Sequence, residues 1–125
     1  MNDLNLLRKA KDDIDLATKL VSDERQHDNV GYHLAQAVEK ILKFMLEQRR
    51  IGYLKSSRGH NLRILLGQLK TSSQHFDKYE RLLDLDVYQS NIRYDYLPQN
   101  ERADLKLMLE EIYELLKEVE TLEKI

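Results

Sequence analysis

Seven residues in three short patches carry the side chains most able to do chemistry in this sequence. Lys40 and Lys43 lie in GYHLAQAVEKILKFMLEQRR, the run from Gly31 to Arg50. His60 and Asn61 fall in Gly59-His60-Asn61-Leu62, and Arg93, Tyr94 and Tyr96 in Asn91-Ile92-Arg93-Tyr94-Asp95-Tyr96. Lysines three apart on a helix share a side, where both ammonium groups can meet phosphate oxygens. They can equally be solvated, or pair with Glu39 and Glu47. An imidazole at His60 can donate to a phosphate or exchange a proton near neutral pH, or simply cap the helix that follows, as Asn61 can. A guanidinium at Arg93 between tyrosines suits bidentate phosphate contact with base stacking. Its alternative is an ion pair with Asp95 or with a carboxylate of the last helix.

Other constellations are empty. His27 and His33 are six apart, poor spacing for a shared metal, and there is no HExxH, so no metal site is expected. Glu110-Glu111 and Asp84-x-Asp86 read as solvated charge. No glycine-rich phosphate loop and no serine nucleophile motif occurs. No cofactor is implied.

Charge is unevenly spread behind a formal net of −2. Between Glu39 and Arg63 seven basic residues stand against two acidic ones, whereas from Glu101 to Ile125 eight acidic residues stand against four basic ones. Such polarity attracts an anion to one region and repels it from another, although helix faces also differ in sign by chance.

The elements that must position these groups are all helical. Leu4, Leu7, Ala10, Ile14, Ala17 and Val21 advance by threes and fours, which predicts a first helix from about Asn2 to Ser22. Asp28-Asn29 offers capping oxygens for a second, with Leu34, Val38, Ile41 and Met45 as its stripe and Gly52 as its stop. A short third helix carries Leu62, Leu65, Leu66 and Leu69 and breaks at Thr71-Ser72-Ser73. A fourth starts near Gln74 and runs through Phe76, Tyr79, Leu82, Leu83, Leu85 and Tyr88 to Ile92. Pro98 stands where a last helix would start, striped by Met108, Ile112, Leu115, Val119 and Leu122. No run alternates as a strand would. The 125 residues are therefore read as one all-α domain, a bundle of about five helices. Cysteine is absent, no stretch approaches a membrane span, and the acidic N-terminus lacks an apolar signal core, so a cytoplasmic protein is expected.

In this order and spacing the chain resembles the HEPN domain family. The opening LLRKAKDDIDLATKL is similar to the family's first helix. Ala35, Glu39, Lys40 and Lys43 match its Ala-x-x-x-Glu-Lys-x-x-Lys helix, His60-Asn61-Leu62 its His-[Asp/Asn]-Leu element, and Arg93-Tyr94 its Arg-Tyr element. The resemblance implies a four- to five-helix up-and-down bundle, commonly a homodimer. It further implies a nucleotide-binding module or the partner of a minimal nucleotidyltransferase, in toxin–antitoxin or defence pairs. One branch cuts RNA without metal through Arg-x(4–6)-His. Arg93 is followed by YDYLPQN, and no other arginine has a histidine at that distance. The expectation is a binding module at Lys40, Lys43, His60, Asn61, Arg93, Tyr94 and Tyr96. The alternative is a divergent ribonuclease in which His60 reaches Arg93 through space.

Overall fold

A computed structural model describes residues 4–52, 61–90 and 96–123. Helix α1 spans Leu4–Leu20, α2 His27–Gln48, α3 Asn61–Ser72, α4 Asp86–Ser90 and α5 Leu105–Glu123. Between α3 and α4 the chain forms a 3₁₀ helix over Gln74–Leu85, with single 3₁₀ turns at Glu24–Gln26 and Gln99–Glu101. No strand occurs among the described residues, so the fold is all-α.

Helix α2 is the axis of the bundle. Residues on almost every side of it are buried: Val30, Gly31, Leu34, Ala35, Ala37, Val38, Ile41, Leu42, Phe44, Met45 and Leu46. A helix apolar nearly all round is enclosed by its neighbours, and α1, α3, α4, α5 and the long 3₁₀ helix all pack on it. Helix α1 lies antiparallel to α2 and presents Leu7, Ala10, Ile14 and Ala17, where the alanines permit close approach. Two polar clasps join α1 to α5. Lys11 Nζ meets Glu120 Oε2 at 3.0 Å and Thr18 Oγ1 meets Tyr113 Oη at 3.0 Å, an order that makes these helices antiparallel too. Helices α2 and α5 thus start at the same end of the bundle.

Four expectations need correction. Asp28 does not cap α2. The turn before it is held instead by Asp23, whose Oδ1 accepts from Arg25 N at 3.0 Å, and Asp28 sits inside the first turn of α2. Helix α2 does not stop at Gly52. Arg50 N donates to Glu47 O (3.0 Å) and Ile51 N to Leu46 O (2.9 Å), the paired bonds of a Schellman motif, with Arg50 in the left-handed position at φ 57°. The segment from Gln74 is a 3₁₀ helix as far as Leu85, opened by Ser73, whose Oγ accepts from His75 N. Pro98 precedes only the short 3₁₀ turn; α5 begins at Leu105, with Asp104 Oδ1 accepting from Leu107 N at 3.2 Å.

Candidate functional site

The richest polar geometry lies where α2 and α5 begin, and Tyr88 of α4 is its centre. Its ring rests on Gly31, where any Cβ would overlap the ring atoms. The Tyr88 hydroxyl accepts from Ala103 N at 3.0 Å and shares a hydrogen bond with His27 Nε2 at 2.7 Å. Burial lowers the His27 pKa below the ordinary 6.5, and the Arg102 guanidinium adds to the effect against Asp28 and Glu24. Burial likewise raises the Tyr88 pKa, which keeps the hydroxyl protonated.

A strap from Tyr96 to Asp104 crosses this end. Asp28 Oδ2 accepts from Leu97 N at 2.8 Å, while Asp28 Oδ1 is buried without a hydrogen-bond partner. Arg102 Nε donates to Leu97 O at 3.1 Å, which orients its guanidinium. Its Nη1 reaches Glu24 Oε2 at 3.4 Å, and that carboxylate is 87% exposed against 20% for Arg102. So long and exposed a pair contributes little, and an anion can replace Glu24 without moving the arginine.

Arg102, His27 and Glu24 line a cavity of about 370 Å³ together with Val21, Gln99, Asp104 and Lys106. Lys106 is exposed and has no partner among the described residues. The first turns of α2 and α5 also border it, and their N–H dipoles favour negative charge. A second cavity of about 380 Å³ shares Arg102 and Ala103 as its wall and is floored by Leu83 and Val87.

The residues expected to act from α2 are occupied elsewhere. Lys40 Nζ bonds Asp13 Oδ2 at 2.6 Å, and the other oxygen of Asp13 meets His33 Nδ1 at 3.0 Å, a clasp between α1 and α2. Lys43 lies 3.6 Å from Glu39 Oε2. Lys40 stands thirteen positions beyond His27, roughly 20 Å along the helix. Asn61 opens α3, and Tyr96 is 66% exposed immediately before Leu97 of the strap. His60, Arg93 and Tyr94 lie outside the described residues.

Sequence reasoning passed over His27, Tyr88 and Arg102. The signal it had was Gly31 within an otherwise strong helix, which marks a close approach. No group of three or more His, Asp or Glu side chains among the described residues is placed to hold a metal.

The model of the HEPN domain matches residues 4–124. The chain belongs to the HEPN domain family. No curated protein and no solved structure matches it. The helical architecture is that of the family. None of the described helices is long and apolar enough to cross a membrane.

Proposed function

We propose that this HEPN domain is a nucleotide-binding module whose phosphate site is the cavity between the starts of α2 and α5. The observation that supports it best is Arg102, a guanidinium oriented by Leu97 O and held only weakly by the exposed Glu24, in a cavity that Asp104 also lines. Lys106 supplies a second cation with no partner among the described residues, and the His27 imidazole lines the same cavity. Arg93, Tyr94 and Tyr96 fit this reading as phosphate and stacking groups on the adjoining stretch of chain, with His60 and Asn61 as further candidates. Lys40 and Lys43 fit it poorly, being paired some distance down α2.

Homodimer formation, pairing with a minimal nucleotidyltransferase, a toxin–antitoxin or defence setting and a cytoplasmic location are proposals that rest on family membership and composition. Divergent RNA cleavage is a second reading. It draws on His27, an imidazole whose pKa burial lowers and which lines the same cavity as the Arg102 guanidinium.

The test is a thermal-shift panel with ATP, GTP, AMP and a short single-stranded RNA, with the RNA checked afterwards for cleavage. A ligand at about a hundred times its dissociation constant adds roughly 2.7 kcal/mol, enough to raise the midpoint by several degrees. The shift should shrink in Lys106→Ala, which disturbs no contact in the fold, and in Arg93→Ala. If every ligand leaves the midpoint unchanged, the nucleotide site is wrong and a protein partner becomes the leading occupant.

A further inference from the structure

Arg102 separates two cavities, and only one has the character of a phosphate site. The first is walled by Arg102, Lys106 and His27. The second is floored by the apolar side chains of Leu83, Val87 and Ala103 and rimmed by Asp84, Asn100 and Glu101. Leu83, Val87 and Ala103 are partly buried and pack against the core, so the floor is fixed. Asp84 is exposed, with no hydrogen bond or ion pair among the described residues. The rim thus offers two carboxylates, Asp84 and Glu101, which only accept, and the amide of Asn100, which both accepts and donates.

We propose that the second cavity is a base pocket that selects amino-bearing bases over uracil, with Asp84 as the group that reads the amine. This rests on the phosphate site just described. A nucleotide with its phosphate on Arg102 has its base one sugar away, and the neighbouring cavity shares that arginine as its wall. An aromatic base lies flat on an apolar floor. Cytosine turns its N4 amine outward, a donor that an aspartate accepts, while Asn100 can meet the adjoining ring nitrogen or carbonyl. Uracil presents the O4 carbonyl at the same point, and oxygen facing carboxylate is repulsive. A site that hydrogen-bonds one such edge rejects the other because its own polar group is left unpaired.

The experiment is calorimetric titration of CMP and UMP, which differ only at that edge, into the wild-type chain, Asp84→Asn and Lys106→Ala. In the wild type CMP should bind at least roughly fivefold tighter than UMP, the lower end for one specific base contact. Asp84→Asn, whose amide can donate to O4, should abolish or reverse the preference. Asp84 is exposed, so the variant should keep the wild-type circular dichroism spectrum. Binding that weakens in Lys106→Ala but does not distinguish CMP from UMP would overturn the base pocket and leave the phosphate site standing. A preference that survives Asp84→Asn would overturn the role of Asp84. Failure of both nucleotides to bind would remove the phosphate site and the base pocket together.

Discussion

At the scale of single residues, Tyr88 links three parts of the chain with one oxygen, since Ala103 N and His27 Nε2 share its hydroxyl and Gly31 makes room for its ring. Tyr88→Phe keeps the ring and strands both partners. It should cost about 1–3 kcal/mol in urea unfolding, the range for a buried polar group left unpaired. Gly31→Ala should cost a similar roughly 1–3 kcal/mol by displacing the ring; a neutral result would mean the packing yields more easily than drawn. His27 gives the pH dependence. Its folded pKa lies below 6.5, so the unfolded chain binds the extra proton first. Its contribution is complete above 6.5 and is lost as pH falls through the lowered folded value. His27→Gln should flatten stability between pH 7 and 5, and an equally steep fall in that variant would assign the dependence to other groups.

Among the elements, the 3₁₀ helix shows most clearly how far the sequence can be read. Phe76, Tyr79, Leu82, Leu85 and Tyr88 are all buried and recur every third residue. That strict period matches the three residues per turn of a 3₁₀ helix, whereas an α-helix would drift off the core after two turns. The pattern was legible, but Leu83 beside it also satisfied an α-helical stripe. The end of α2 was misread for a different reason. Gly52 is the favoured residue type for a left-handed stop, yet Ile51 packs on the core and its N–H reaches Leu46 O, which forces the turn onto Arg50. An arginine there is strained, so Arg50→Gly should raise stability by about 0.5–1 kcal/mol, read as a higher urea midpoint with an unchanged slope. Apolar stripes located α1, α2, α3 and α5 because burial imposes their period. The site residues were less legible. His27, Tyr88 and Arg102 are distant in sequence and meet only when the strap folds over the bundle end.

For the whole molecule, the excess of basic residues from Glu39 to Arg63 does not by itself say where an anion would sit. Lys40 is neutralised by Asp13 of α1, Lys43 by Glu39 one turn earlier, and Arg49 lies over the Phe76 ring at 4.8 Å. Lys40 and Arg49 thus tie α2 to its neighbours, while Lys43 pairs within α2. Arg102 and Lys106 belong to the net acidic C-terminal part, but the fold sets them beside two helix N-termini, with the exposed carboxylates of Glu24 and Asp104 lining the same cavity. What governs anion affinity is local and unanswered charge, which a sum along the chain does not measure. Lys40→Ala and Lys106→Ala therefore separate the two locations. Lys40→Ala should lower stability by roughly 1–3 kcal/mol through loss of a charged, partly buried hydrogen bond, with nucleotide affinity unchanged in the folded protein. Lys106→Ala should leave stability alone and weaken the nucleotide several-fold. The opposite outcome, affinity falling in Lys40→Ala and persisting in Lys106→Ala, would return the site to the middle of α2 and make the Asp13 clasp a resting state that the ligand displaces.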